Sequence, residues 1–260
     1  MGLHNRVLPI VTITGSSLMV GCGGNYGGSC GYGSSYGSYG GCAAPIITGD
    51  GYYEGTVTSQ GNSPPTPVVA IIAANGDGTI SGQDGSYYRL NVSLPGNQVT
   101  GTYFGLSEGA AFPNATQATS GSISAVASPN LTGALTDQTG AAEPLALNFD
   151  TVYNLGSSLT TLTGTWSYTA ANGFSLTATI RPDGTFSAMD SNSCTYSGAF
   201  GLIDPNFNAY SESYTRTCNG VNVRFTGLAT YFPPSGAAAN ADIKIMADDN
   251  TTEFLVADLQ

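Results

Sequence analysis

From Gly49 onward, the hydrophobicity pattern restricts the chain to short β-strands. Apolar residues do not recur with the 3.6-residue period of a helix; instead, short runs alternate apolar and polar side chains. Gly, Pro, Asn or Asp interrupts these runs about every 8–12 residues, which is typical of a sandwich or a barrel. The sequence therefore predicts an all-β fold of antiparallel meanders.

The predicted strands form two sets of eight. The first set is expected at 51–58, 67–73, 79–82, 86–94, 98–104, 119–126, 130–135 and 144–150. The second set is expected at 164–168, 174–180, 185–189, 194–202, 209–218, 222–231, 241–246 and 252–258. Eight antiparallel strands with short turns can close into a barrel and remove exposed edges. We therefore expect two barrel-like domains, 49–157 and 158–260, with the apolar positions of 150–162 packed between them.

A spaced signature suggests that the two halves are an internal repeat. The motif Asp77-Gly78-Thr79 is followed by Asp84, and the motif Asp183-Gly184-Thr185 is followed by Asp190. The number of residues between motif and aspartate is the same in both cases. The motifs at 103–106 (YFGL) and 199–202 (AFGL) also look alike. The alternative is that all Gly-rich meanders resemble one another. Both Asp-Gly pairs are predicted to be tight hairpin turns rather than calcium ligands.

Charge composition excludes one large class of function. Only 9% of the residues are charged, and 6 Lys+Arg stand against 17 Asp+Glu, for a net charge of -11. Six cations are too few for the basic patch of a nucleic-acid-binding protein. The 41% hydrophobic content and the 15 Tyr argue against wholesale disorder. An exported all-β protein fits this composition best.

The N-terminus has the pattern of an export signal. A short segment with one cation, Arg6, precedes an apolar stretch over 7–20. That stretch has the length of a signal-peptide core and is too short to cross a bilayer core of about 30 Å as a helix.

The stretch Leu18-Met19-Val20-Gly21-Cys22 resembles the lipobox of bacterial lipoproteins. The resemblance implies that 1–21 is a lipoprotein signal peptide, cleaved before Cys22, and that Cys22 receives a diacylglyceryl group and an N-acyl chain. Several acyl chains together anchor a protein stably to a membrane. Gly23 at the next position implies transport to the outer membrane, on its periplasmic or cell-surface face. In architecture only, the whole chain resembles two-lobed β-barrel surface lipoproteins of Gram-negative bacteria.

Residues 22–48 are predicted to be a flexible Gly-rich tether. Gly, Ser and Tyr make up almost all of 23–42, a composition that cannot offset its ordering entropy. Such a linker spans about 25 Å for 20 residues. Two matches to G-x-S-x-G, at 27–31 and 33–37, are expected by chance here, because a nucleophile elbow needs a strand, a helix and a histidine base. The chain's one histidine, His4, lies in the predicted signal peptide.

The cysteines indicate an oxidising compartment. After lipidation of Cys22, an even number remains, which suits disulfide pairing. Folding the chain about Asn206 pairs Cys194 with Cys218, Tyr196 with Arg216, Gly198 with Tyr214 and Leu202 with Tyr210. Hairpin register alone therefore predicts a cross-strand disulfide with a Cα separation of roughly 4.4–6.8 Å. Pairing of Cys30 with Cys42 stays open. No metal or cofactor is predicted, because the mature chain has no histidine and no C-x-x-C motif.

Few other residues suggest chemistry. The glutamates that could serve a glycosidase by residue type are Glu54, Glu108, Glu143, Glu212 and Glu253. None lies in a recognisable motif, so a structural or solvated role is favoured for each. Trp166 is expected in a barrel core rather than on a sugar-binding surface. The Asn-x-Ser/Thr sequons at Asn91, Asn114, Asn130 and Asn250 are attributed to chance in a bacterial protein.

These observations favour a non-enzymatic, lipid-anchored protein of the cell envelope that binds a protein or glycan partner or supports envelope structure. One alternative is a lipocalin-like carrier of a small apolar ligand, which a barrel cavity of several hundred Å³ would favour. Another is a carboxylate-based hydrolase, which two close carboxylates in a cleft would favour. The large residues expected inside the second barrel indicate a filled barrel: Trp166, Phe186, Phe200, Phe225 and Phe254.

Overall fold

Two consecutive sets of eight antiparallel strands account for the fold. The structure, a computed structural model, describes residues 48–58, 64–108, 115–170, 173–235 and 240–260. The first set comprises β1 (Gly51–Val57), β2 (Thr66–Ile72), β3 (Asp77–Gly82), β4 (Ser86–Ser93), β5 (Gln98–Glu108), β6 (Ala115–Ser128), β7 (Asn130–Asp137) and β8 (Ala142–Asp150). The second comprises β9 (Gly164–Thr169), β10 (Ser175–Ile180), β11 (Thr185–Asp190), β12 (Thr195–Leu202), β13 (Tyr210–Cys218), β14 (Val221–Phe232), β15 (Asp242–Asp248) and β16 (Phe254–Leu259).

The predicted signal peptide and most of the tether, with Cys22, Cys30 and Cys42, lie outside the described residues. Two 3-10 helices, Thr151–Asn154 and Leu159–Leu162, connect the strand sets. In the part of the chain that the structure describes, neither helix has the length to cross a membrane.

The first strand set closes into a barrel, and the second nearly does. In the first, each strand pairs with the next and β8 returns to β1. In the second, the strands pair in chain order from β9 to β16. Its ends are joined by two backbone hydrogen bonds between Ser167 and Gln260, of 2.7 and 2.8 Å. The predicted all-β class with two barrel-like halves is confirmed.

Each predicted strand corresponds to an observed one, with ends that differ by a few residues. The largest difference is the β5–β6 hairpin, which continues to the pair Glu108 and Ala115 through an irregularity after Ser107. Backbone pairing extends these strands where their Ser, Thr and Gly residues lack a clear alternation of apolar side chains.

Successive side chains along each strand point alternately into the barrel and out of it. The inward side chains form two barrel interiors, and some of the outward ones form a third apolar cluster. The first interior contains Tyr53, Val57, Ile72, Ile80, Leu90, Tyr103, Leu131 and Leu147. The second contains Trp166, Leu176, Phe186, Phe200, Tyr214, Phe225 and Ile243. Outward-facing residues of both barrels and Tyr153 of the first connecting helix form the third, which we call the interbarrel cluster: Tyr52, Ile71, Tyr87, Leu106, Tyr153, Leu228, Met246 and Phe254. The barrels therefore bury apolar surface on each other as well as inside themselves.

The expectation that Phe254 lies inside the second barrel is wrong. Its ring stacks on Tyr87 of the first barrel, with ring centroids 5.1 Å apart. Because side chains alternate along β16, Leu255, Ala257 and Leu259 occupy the interior and Phe254 faces outward. Trp166 does lie in the core, where its indole Nε1 donates to the carbonyl of Leu162 at 2.8 Å.

The segment between the barrels packs as expected at its first helix. Tyr153 stacks on Phe207 with ring centroids 5.1 Å apart, and its hydroxyl donates to Asp50 Oδ2 at 2.9 Å. Leu155, expected to pack there too, is 42% exposed.

The hairpin turns correct the proposed alignment of the repeat. A four-residue connection ending in a left-handed glycine joins β2 to β3 (73–76) and β10 to β11 (181–184). The glycine is Gly76 (φ 90°) in the first hairpin and Gly184 (φ 83°) in the second. Asn75-Gly76, not Asp77-Gly78, is therefore the counterpart of Asp183-Gly184, because Asn-Gly satisfies the same turn two residues earlier.

The second pair of matching motifs does not support the repeat. Tyr103–Leu106 lies in β5, the fifth strand of its barrel, and Ala199–Leu202 lies in β12, the fourth. Their phenylalanines face opposite ways: Phe104 packs against the interbarrel cluster and Phe200 lies in a barrel core. The match is compositional.

The register predicted around Asn206 is confirmed. β12 and β13 pair Tyr196 with Arg216, Gly198 with Tyr214 and Leu202 with Tyr210. This register brings Cys194 and Cys218 to disulfide distance, with Cα atoms 4.5 Å apart.

Removing this crosslink is expected to destabilise the second barrel. The cysteines are 24 residues apart. Closing a loop of about 25 residues contributes about 3.5 kcal/mol in the chain-entropy model. The Cys194→Ala/Cys218→Ala chain should lose about that much free energy of unfolding in urea denaturation. Hydrogen exchange should speed up in β12 and β13 more than in β1–β8. Added reductant should not shift the double variant further; a wild-type chain insensitive to reductant would contradict the crosslink.

Candidate functional site

A cleft of about 530 Å³, lined by both polar and apolar side chains, lies between the two barrels. One side is the outer face of β3, β4 and β5, and the other is formed by β13 and β14 with Asn250 at one end. Its volume falls within the roughly 300–1,000 Å³ of small-molecule sites. We call this feature the interbarrel cleft.

Strand register arranges the first wall in rows of side chains. Asp77 pairs with Asn91, and Asn91 pairs with Thr102, so the three form one row across β3, β4 and β5. All three residues are exposed. Two residues along each strand, Thr79, Arg89 and Phe104 form the next row towards the second barrel. The wall therefore presents a carboxylate, an amide and a hydroxyl beside an aromatic ring.

An ion pair between a buried carboxylate and a partly exposed arginine links the two barrels beside the cleft. Arg89 Nη1 lies 3.0 Å from Asp248 Oδ1, and the Tyr87 hydroxyl donates to Asp248 Oδ2 at 3.0 Å. Asp248 is fully buried, whereas the Arg89 side chain is 36% exposed. Burial raises the pKa of Asp248, and the Arg89 guanidinium opposes that rise. The side chains that compensate Asp248 therefore come from the other barrel, while its own barrel contributes the N–H of Asn250.

The second wall is contributed by β13, β14 and the turn before β16. Ser211 pairs with Leu228, and Thr226 pairs with Asp248, which places Thr226 next to the buried ion pair. Asn250 has a left-handed backbone (φ 66°), and its N–H donates to Asp248 Oδ1 at 2.8 Å. Asp248 thus connects the ion pair to the loop that ends the cleft.

Glu212 is a buried carboxyl group inside the second barrel. It is 3% exposed and lies on the strand face that also points Tyr210 and Tyr214 inward. Neither its carboxyl oxygens nor the Tyr214 hydroxyl have a hydrogen-bond partner within the described structure. The apolar cavity beside it is only about 20 Å³, enough for about one water molecule. Burial raises the pKa of Glu212 well above its usual value, which favours the neutral acid.

The other glutamates singled out in the sequence do not line the cleft. Glu54 is exposed on β1 and accepts a hydrogen bond from Tyr52 at 3.2 Å; Glu143 on β8 accepts one from Tyr88 at 3.5 Å. Glu253 pairs with Arg216 at 2.6 Å within the second barrel. The side chain of Glu108 is outside the described structure.

Of the sequon asparagines, Asn91 and Asn250 line the cleft and Asn130 does not, while Asn114 lies outside the described residues. Arg89 and Asp248 were not anticipated from the sequence. They are 159 residues apart, and no local pattern relates them.

Among the described residues, no group of three His, Cys, Asp or Glu side chains could hold a metal ion. No protein-family model, curated protein or solved structure matches this chain.

The buried Glu212 should make stability fall as pH rises. Its folded-state pKa exceeds the ordinary value of 4.5, so the unfolded chain releases the proton first. Its contribution is intact below about pH 4.5 and declines as pH rises towards the folded pKa, by at most about 1.4 kcal/mol per pH unit. Chemical denaturation from pH 5 to 8 should show this slope in the wild type and a shallower one in Glu212→Gln. Glu54→Gln, at an exposed position, is the control and should keep the wild-type slope; equal slopes in all three chains would contradict the assignment.

Removing Asp248 should cost more stability than removing an exposed partner. Asp248→Ala leaves the fully buried Tyr87 hydroxyl without its acceptor, a loss of about 1–3 kcal/mol, whereas the Arg89 guanidinium that it frees is 36% exposed and can be hydrated. Asp258→Ala removes the partner of Lys244, and because Asp258 is 40% exposed the expected loss is at most about 1 kcal/mol. Urea denaturation compares them directly. Similar losses in both variants would show that the pair with Arg89 is not the stronger contact.

Proposed function

We propose that this chain is a non-enzymatic, lipid-anchored protein of the bacterial cell envelope that binds a protein or glycan partner in the interbarrel cleft. The cleft is the observation that carries the proposal. It is concave, has a volume of about 530 Å³, and presents polar groups from both barrels. Sites with these properties bind ligands far more often than convex barrel surfaces do.

The barrel interiors favour this function over that of a lipocalin-like carrier. The cavity in the second barrel is about 20 Å³, which is much too small for a lipid-like guest. Aromatic side chains fill the rest of that interior, including Phe186, Phe200 and Phe225. The interior of the first barrel is occupied by tyrosine and aliphatic side chains.

The carboxylates near the cleft favour binding over hydrolysis. Asp77 is exposed on the first wall, whereas Asp248 is engaged by Arg89 and Tyr87, and Glu212 points into the barrel. A glycosidase needs two carboxyl groups that face one scissile bond about 5 or 9 Å apart. Of these three acids only Asp77 is exposed, so the cleft surface formed by the described residues does not offer the second carboxyl group that such a reaction needs.

Two features support the envelope location and the anchor. The cysteine pair at disulfide distance suits an oxidising compartment. The lipobox-like stretch that ends at Cys22 supplies an acylation site, and the Gly-rich segment after it would let the barrels reach a partner away from the membrane.

Lipidation of Cys22 can be tested in a Gram-negative host. The wild-type chain should incorporate labelled palmitate and fractionate with the outer membrane, because several acyl chains anchor it stably. Cys22→Ser should incorporate no label and should leave the outer-membrane fraction. Cys42→Ser is the control and should behave as the wild type does. A mature N-terminus at a residue other than Cys22, determined by mass spectrometry, would refute the anchor.

A further inference from the structure

We propose that the interbarrel cleft binds a neutral oligosaccharide, held by the row of Asp77, Asn91 and Thr102 and packed against Phe104. This inference rests on the proposed function and narrows its partner to one chemical class. The row is set by strand register, which gives it a fixed spacing: adjacent side chains on neighbouring strands lie about 5 Å apart. Sugar hydroxyls both donate and accept hydrogen bonds. A carboxylate, an amide and a hydroxyl in one row can satisfy both roles.

The charge of the cleft disfavours an anionic ligand. Arg89 is the one cation among the residues that line it, and Asp248 already neutralises that charge at 3.0 Å. Asp77 adds an exposed negative charge, and the chain as a whole carries -11. Recognition of phosphate or sulfate relies on cationic donors that are free to pair. An uncharged ligand avoids this repulsion.

The walls also disfavour a peptide or a folded protein. A peptide often binds by adding a strand to an exposed sheet edge, but β3, β4 and β5 are each paired on both sides within the closed barrel. The backbones of these three strands therefore have no unpaired edge to which a peptide could add as a further strand. A folded partner needs about 800 Å² of complementary surface with an apolar core, whereas the exposed row of the cleft is polar. A slender polar chain fits the space between two convex barrels better.

In this proposal, Phe104 and the polar row contact different groups of the oligosaccharide. Phe104 is half-buried: it lines the cleft and also packs against the interbarrel cluster, which fixes its position. An aromatic ring offers an apolar face to the C–H groups of a sugar ring, while the row above supplies directional hydrogen bonds. The Thr79 hydroxyl, behind the row, is buried against Met246 Sδ at 3.8 Å, so it supports the wall rather than the ligand.

The test is a binding titration of neutral oligosaccharides of two to four hexose units, with their sulfated counterparts measured in parallel. The protein is the full-length wild-type chain in detergent, which keeps both the predicted anchor and the cleft. Asn91→Ala and Thr102→Ala should each weaken binding about two- to tenfold, the usual effect of losing one hydrogen bond. Asn148→Ala is the matched control, because Asn148 is exposed on β8 of the same barrel and does not line the cleft. It should bind as the parent does.

The outcomes separate this inference from the proposed function. Binding of a neutral oligosaccharide that Asn91→Ala weakens and Asn148→Ala does not supports the inference, whether or not Cys22 proves to be lipidated. No binding to any neutral oligosaccharide, preference for the sulfated series, or equal effects of Asn91→Ala and Asn148→Ala would overturn it. None of these results bears on the membrane anchor, which palmitate labelling tests separately.

Discussion

The arrangement of the two barrels depends on a carboxylate that is buried in one of them and compensated by the other. Asp248 has no exposed surface, yet its side-chain partners Arg89 and Tyr87 belong to the first barrel, and its own barrel adds the N–H of Asn250. Separation of the barrels would return the acid to water, but it would also expose the stacked rings of Tyr87 and Phe254. Apolar burial therefore drives the contact, and the ion pair restricts it to one geometry.

That contact also explains why a cleft with an exposed polar row exists beside it. Along β4 the outward side chains change from Tyr87, which is buried, to Arg89, which is half-buried, to Asn91, which is exposed. The barrels are convex, so their surfaces diverge within two residues of the contact, and the side chains become more polar as they do. The interbarrel cleft thus lies at the edge of the interface, where the two barrels are no longer in contact. Its walls belong to the strands that form the interface, so their positions are set by the same packing.

Sequence patterns revealed each barrel but not how the barrels meet. Period-two alternation located the strands, and the turn around Asn206 determined the register of β12 and β13 because both flanking runs are equidistant from it. Alternation could not show that the outward faces of Tyr52, Ile71 and Tyr87 are also buried, since that depends on a distant surface. For the same reason Phe254 was assigned to the wrong face. The cleft was missed altogether, because Asp77, Asn91 and Thr102 are ordinary surface residues until strand pairing brings them side by side.

The unequal closure of the two barrels gives the molecule a mechanical polarity. β8 joins β1 along six consecutive residue pairs, so the first barrel has a continuous hydrogen-bonded wall. β16 meets β9 through the two bonds of Ser167 and Gln260, which form a short seam beside otherwise well-paired strands. Local unfolding begins where the fewest hydrogen bonds must break, so we expect the second barrel to open first between β9 and β16. The crosslinked β12–β13 hairpin lies near the middle of the strand order, away from both sides of the seam. A force that separates β9 from β16 would therefore detach strands one after another from both sides of the seam until it reaches the disulfide between β12 and β13. The first barrel would stay closed.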